Sequence, residues 1–543
     1  MKLPDPYKSE QASKWNIIDG NDIREDRQLA ADVLIIGSGA GGGLAADIFS
    51  RAGRRVILIE EGGLRTSSSF NLQEIDSYKE LYQEGMTRVT KDGAISILQG
   101  RTVGGSTTVN WTSSFRTPRQ TLEYWNANWG TKSLTTEAMR PWFEIMEKRL
   151  SIQEWAAANA NNDVIRRGCE ALSLSWHHIH RNVKGCWNLG YCGLGCPTNA
   201  KQSMLVTTIP AALERGTILI HRLHARRLTL EKNRATGVEA NVTNGSGAIV
   251  RIKAPIVILS AGAIGSPSLL LRSEQIPNPY QRTGKRTFLH PSVFSFGQMP
   301  TEVAGYHGAP QSIYSDHFLW EGGTSGAMGY KIEAVPMHPA FASALIRGRG
   351  ENYRRKMNQL ASTNGILSLL RDGFHEDSPG GTIELRDDGT PTVNYPITPY
   401  LMDGAKRAYL TTAEIMFAAG ARAVHVGHFD SPVYKSWNEA KRGISELEYK
   451  PLMLRIGSAH VMGGCAMGSD PESSVVNENG QHHQIENLYV CDGSLFPTSL
   501  GANPQLSIYG LVARIVHKII GGTELYFDRE YLPGTAQLKD DIK

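Results

Sequence analysis

Residues 32–60 read DVLIIGSGAGGGLAADIFSRAGRRVILIE, and no other stretch constrains the fold of this chain so tightly. Asp32 to Ile36 is a short run of apolar, mostly β-branched residues, the pattern of a strand buried on both faces. Gly37, Gly39 and Gly42 follow at G-x-G-x-x-G spacing. The first permits a tight turn, the second lets the backbone approach a pyrophosphate, and the third lets the next helix pack close to the strand. That helix is expected over about 41–52, with its N-terminal amides facing the phosphates. A second strand over 55–59 ends in Glu60, a carboxylate placed to accept from a ribose hydroxyl. Strand, glycines, helix, strand and acid in this order predict a dinucleotide site in an α/β fold. The pattern does not separate FAD from NAD.

The chain has 543 residues, beyond the ~250–300 that a single core supports, so two or more domains are expected. Its 57 basic and 53 acidic residues nearly cancel, which excludes a nucleic-acid binder driven by a basic face. No apolar run approaches the ~20 residues needed to cross a bilayer. The first residues lack the apolar segment of a signal peptide, so a cytoplasmic location is the default expectation, with export through a partner subunit left open.

There is no internal repeat. A polar lead-in occupies 1–29, and a second glycine-rich loop, QGRTVGGSTTVNW, spans 99–111. Residues 120–180 have helical spacing of Trp142, Phe143, Met146 and Leu150. Residues 217–260 read as strands, with a turn at Asn233, and 261–273 opens another helix. Within 295–450 the sequence predicts a basic amphipathic helix near 345–360, a hairpin with Asp-Gly at its turn, and a helix ending at Gly420. After 451 the glycine-rich texture returns. The dinucleotide domain is therefore read as discontinuous, over 30–119, 185–294 and 451–525. Residues 120–184 and 295–450 are assigned to a substrate-side domain.

Five segments in order resemble the glucose–methanol–choline family of FAD oxidoreductases: the stretch above, GRTVGGSTTVNW, SAGAIGSPSLLLRS, a degenerate FLHP at 288–291, and NLYVCDGSLFPTSLGANPQLSIYGLVARI. The resemblance spans roughly 30–520. It implies a Rossmann-like FAD-binding domain with an inserted α+β substrate domain on an antiparallel sheet, and oxidation of an alcohol by hydride transfer to FAD. Gly104, Gly105, Ser106 and Asn110 are implied as flavin contacts in the second loop, with Asp492, Gly493 and Pro504 near the C-terminus. Some relatives tether FAD through a histidine just before the asparagine of the second loop. Val109 stands there in this chain and cannot form that bond, so the FAD is expected to be noncovalent.

Oxidising an alcohol requires loss of the hydroxyl proton as hydride leaves the carbon. Neutral imidazole, with a pKa near 6.5, suits the proton step. By resemblance, His460 in SAHVMGG is the base, and Asn503 in GANP holds the alcohol oxygen. His482 and His483 lie in a polar turn, NENGQHHQIEN, and are expected to face solvent.

Cys186, Cys192 and Cys196 form a C-x5-C-x3-C pattern on a glycine-rich loop. Three thiolates there suit a 3Fe-4S cluster, or a 4Fe-4S cluster with an outside ligand. The alternatives are buried free thiols or a local disulfide. The pattern resembles the cluster loop of membrane-linked FAD glucose dehydrogenases and the cysteine-rich loop of long-chain fatty alcohol oxidases. The segment around it is closer to the latter, which implies a hydrophobic primary alcohol as substrate. A sugar or polyol dehydrogenase passing electrons to a protein or quinone, and a sterol oxidase, are the competing readings. Segments 323–339, 338–346 and 364–373 either line a hydrophobic cavity or are ordinary core. The basic helix reads as a solvated face, with peripheral membrane contact as the alternative.

Overall fold

The computed structural model describes residues 5–243 and 245–521, so the last four positions of the 451–525 segment lie outside the described residues. Its first layer is a parallel sheet of six strands, in the order Asn16–Asp19, Ile218–His221, Val56–Glu60, Val33–Ile36, Ile256–Leu259 and Leu488–Val490. The two central strands are buried along their whole length. That burial explains why they read as unbroken apolar runs rather than alternating ones. The helix Ala40–Arg51 returns the chain between them and packs against the helices Thr208–Glu214 and Gln505–Ile520.

A smaller sheet joins Leu223–Glu231, Arg234–Val242 and Ile249–Lys253 in antiparallel order and adds Arg27–Ala30 in parallel. The turn between the first two strands falls at Lys232 and Asn233, with Lys232 at φ 54°.

The largest sheet has eight strands and is mostly antiparallel. It runs Ile95–Ile97, Ile456–Ser458, Ser292–Gln298, Thr363–Leu370, Tyr330–Ala334, Ile313–Ser315 and His177–His178, with Ala423–Val426 also on Ser292–Gln298. The helix Pro399–Ala418 covers it and is capped by Thr398, whose side chain accepts from Leu401 N. Pairing places Ser292 opposite Leu369, Phe294 opposite Leu367, Leu367 opposite Glu333 and Leu369 opposite Lys331. Residues two apart share a face of a sheet, so these six side chains share one.

The antiparallel sheet takes Ile95–Ile97 and Ile456–Ser458 from stretches read as part of the dinucleotide domain. Conversely, the helices Arg119–Trp129 and Thr136–Arg149, read as substrate-side, bury Leu122, Trp125, Met139, Phe143 and Met146 in the core of the parallel sheet. Phe143 packs so closely on Gly510 that a Cβ there would lie 2.6 Å from its ring. The basic helix is short, Gly350–Asn358; Tyr353 and Met357 pack inward while Arg354 and Arg355 are exposed. No helix among the described residues is long and apolar enough to cross a membrane.

Candidate active site

One cavity of about 660 Å³ runs from the glycine turn to the antiparallel sheet. Its first end is built at the parallel sheet. Gly37 has φ +97°, and a Cβ there would lie 2.3 Å from Ser260 O. At Gly42 a Cβ would lie 1.8 Å from Gly37 O, so this glycine brings the helix onto the turn as its spacing predicts. Gly41 has the same role against Cys491 O, at 1.6 Å, and sequence reasoning missed it. Gly39 differs, because a Cβ there meets nothing nearer than Gly105 Cα at 3.9 Å. It lines the cavity together with Ser38, Ala40 and Gly41, at the N-terminus of a twelve-residue helix. This open cradle fits a pyrophosphate.

Glu60 is buried and lines the cavity. It accepts from Ser38 N at 3.0 Å, Ser38 Oγ at 2.7 Å and Gly62 N at 2.9 Å, so it braces the turn. Burial pushes its carboxyl upward despite these bonds. Ser38 Oγ in turn accepts from Gly104 N at 3.0 Å, which ties the two glycine loops together. Gly105 and Ser106 line the cavity, and Ser106 Oγ accepts from Gly100 N at 3.0 Å. Asn110 Nδ2 donates to Gln505 Oε1 at 2.8 Å. Asp492 accepts from Gly262 N and Ser494 N, each at 2.8 Å, and holds Gly493 at the cavity wall. Pro504 caps the helix Gln505–Ile520 and faces the same space. With the glycine cradle at one end and these residues along its wall, the cavity fits FAD.

The second end is lined by His460, Asn503, Glu333, Ser292, Phe294, Leu367, Leu369 and Phe341. The structure therefore brings the two candidate catalytic residues into the dinucleotide cavity. The segments 323–339, 338–346 and 364–373 contribute Glu333, Phe341, Leu367 and Leu369 to its wall.

His460 is half-buried, and its Nδ1 lies 3.0 Å from Nδ1 of the buried His290. Gly501 N–H donates to His290 Nε2 at 3.0 Å. Neutral His290 therefore carries its proton on Nδ1 and donates to His460, whose own proton is left on Nε2. The resting ring is a donor toward the cavity. Base action at Nε2 draws on the opposite proton pattern, in which a proton on His290 Nε2 would face Gly501 N–H.

Burial, followed by the charge of Lys331, lowers the His460 pKa to about 3. Burial likewise takes His425 to about 3 and His482 to about 4, and puts His290 well below its usual value. An unfolded chain takes up these protons near pH 6.5 whereas the native one refuses them, so stability present above about pH 6.5 is lost as pH falls toward 4. The melting temperature is expected to drop steadily between about pH 7 and 4.5; a flat profile over that window contradicts these neutral buried rings.

His482 corrects an expectation. It is 3% exposed rather than solvent-facing, because the 477–487 turn folds back on Leu488–Val490, with His482 N donating to Leu488 O at 2.9 Å. Its neighbour His483 is half-buried, with Nε2 2.8 Å from Ser474 Oγ.

Cys186, Cys192 and Cys196 are free thiols. Among the described residues no group of three or more His, Cys, Asp or Glu side chains is arranged to hold a metal ion. Of the readings open for these cysteines, the iron–sulfur cluster finds no support in this arrangement. Their loop instead cages the second glycine loop: the buried Lys201 ammonium donates to Thr108 O at 2.7 Å, Asn110 O at 2.8 Å and Cys192 O at 2.5 Å. Sequence reasoning also missed Lys331 and Glu333. Their signal was two charges two residues apart in the apolar run GYKIEAVPM.

The fold is shared with solved structures. Pyridoxine 4-oxidase from Mesorbium loti matches 90% of this chain and 99% of its own, at TM-score 0.66 and 16% identity. Formate oxidase matches 93% of this chain and 100% of its own, at TM-score 0.68 and 14% identity. In sequence, the long-chain-alcohol oxidase FAO4A of Arabidopsis thaliana is 29% identical over 89% of this chain and 68% of its own length. The 6'''-hydroxyparomomycin C oxidase of Streptomyces lividus is 26% identical over 88% of this chain and 89% of its own. Two family models, both described as GMC oxidoreductase, match residues 78–292 and 377–511, more than half of the chain. The glycine cradle, the paired loops and the C-terminal block therefore belong to an FAD-dependent member of the GMC oxidoreductase family.

Proposed function

We propose that the protein oxidises a hydrophobic primary alcohol to the aldehyde, with FAD held noncovalently. The reading rests on one observation: His460 and Asn503 line the same cavity as the glycine cradle, beside Phe294, Leu367, Leu369 and Phe341. Bound FAD supplies the acceptor for the hydride that leaves the hydroxyl-bearing carbon. His460 and Asn503 hold the hydroxyl oxygen, and His460 assists loss of its proton. Its ring is neutral at working pH, so once the proton shared with His290 is shifted to the opposite pattern its Nε2 has a free lone pair to take up the hydroxyl proton. Phe294, Leu367 and Leu369 on the cavity-facing side of the antiparallel sheet, with Phe341, receive the alkyl chain and exclude water. Val109, buried at the cavity wall, offers no nitrogen for a bond to the flavin. The names of the Arabidopsis relatives, long-chain-alcohol oxidases, favour the same substrate class.

The test is a series of primary alcohols from butanol to dodecanol, with glucose alongside. Each buried methylene contributes up to about 0.8 kcal/mol, so kcat/KM should climb with chain length by up to about fourfold per carbon until the cavity is filled. Glucose turning over better than the alkanols would overturn the reading.

A further inference from the structure

We infer that Lys331, paired with Glu333, is a positioning residue that decides which end of the Asn503 amide meets the substrate. The inference rests on the reading of His460 and Asn503 as the alcohol-binding pair.

Lys331 and Glu333 lie two residues apart on the strand Tyr330–Ala334 and are 2% and 0% exposed. Lys331 Nζ is 3.0 Å from Glu333 Oε1 and donates to Asn503 Oδ1 at 3.2 Å. Asn503 Nδ2 donates to Glu333 Oε2 at 3.2 Å. The three side chains thus close a ring. An ammonium can only donate and a carboxylate can only accept. The amide oxygen of Asn503 must therefore face Lys331 and its nitrogen must face Glu333. One N–H of Nδ2 is used by Glu333, and the other is left for the cavity that Asn503 lines. An alcohol oxygen meets a donor there, fixed in direction by two buried charges.

The ammonium is held from its other side as well. It sits 2.9 Å from the centre of the Phe115 ring and 4.4 Å from that of Tyr314. Aromatic faces attract a cation without offering it a competing acceptor. Stability does not explain the pair, since an apolar pair of the same volume at a buried site is often as stable or more so. Orienting one amide does explain it. A neutral pair would let the Asn503 side chain turn over, presenting its oxygen to the alcohol as readily as its nitrogen.

The experiment compares five holoenzymes: wild type, Lys331→Met, Lys331→Met/Glu333→Leu, the latter carrying Asn503→Ala, and Asn503→Ala alone as the reference. Removing only Lys331 leaves Glu333 buried and unpaired and risks the fold, whereas the double variant removes both charges together. Flavin content reports folding, and anaerobic flavin reduction by dodecanol separates the limiting rate from the apparent affinity. The double variant should keep its FAD and lose about 100-fold in limiting rate, the scale of a misplaced catalytic group. Adding Asn503→Ala to it should cost little more, because both changes remove the same oriented donor. Wild-type reduction by the double variant overturns the inference, as does a loss that adds in full to that of Asn503→Ala. Wild-type reduction by Asn503→Ala alone instead overturns the reading of the catalytic pair on which the inference rests.

Discussion

Replacing His460 by alanine should slow anaerobic flavin reduction by an alcohol about 10²- to 10⁴-fold, the range over which a positioned acid–base group acts, with FAD still bound. The side chain has no part in the glycine cradle. The ring meets His290, 3.0 Å away, and its backbone N is held separately by Ser458 Oγ at 3.3 Å. The truncation therefore removes the ring assigned above to the hydroxyl without touching the glycine cradle. Rapid mixing with dodecanol reads the rate, and the visible spectrum of the purified variant reads the flavin. A near-normal rate would remove His460 from the reaction.

The second large effect separates cofactor binding from folding. Gly39→Val should keep the fold and lose nearly all bound flavin. Gly39 has an ordinary backbone, φ −67° and ψ −158°, so a branched residue is tolerated there. Its added carbons would point into open space bounded only by Gly105 and would fill the cradle that the pyrophosphate needs. Gly42→Val, three positions on, should fail to fold, because its Cβ would stand 1.8 Å from Gly37 O and push the helix off the sheet. Circular dichroism and flavin content distinguish the two. A Gly39→Val protein that purifies with full flavin would contradict the assignment of the cradle.

Much of this arrangement is legible in the sequence because it is local. The turn at Gly37, the close packing at Gly42 and the helix between Thr398 and Gly420 depend on residues within a few positions of one another. The hairpin Thr382–Leu385 and Pro391–Asn394 follows in the same way from Asp388 and Gly389. What sequence did not yield depends on contacts between distant segments. His290 gains its role from Gly501 and from His460, which pairing brings together through the strands Thr287–Leu289 and Val461–Gly463. The Lys331–Glu333–Asn503 ring needs the register of a strand against a C-terminal loop. His482 reads as polar and exposed until the turn around it is seen to fold back on Leu488–Val490. The boundary between the two halves blurs for the same reason: Phe143 is helical by its own spacing, but only Gly510 shows which core it enters.

The most direct test of the central claim is an anaerobic titration of the purified holoenzyme with dodecanol, following flavin absorbance and the aldehyde formed. The account predicts complete bleaching, with one aldehyde produced per flavin reduced. A flavin that stays oxidised in the presence of dodecanol and of every shorter alkanol would contradict it, and would leave the cavity at His460 and Asn503 as a binding site without the chemistry assigned to it.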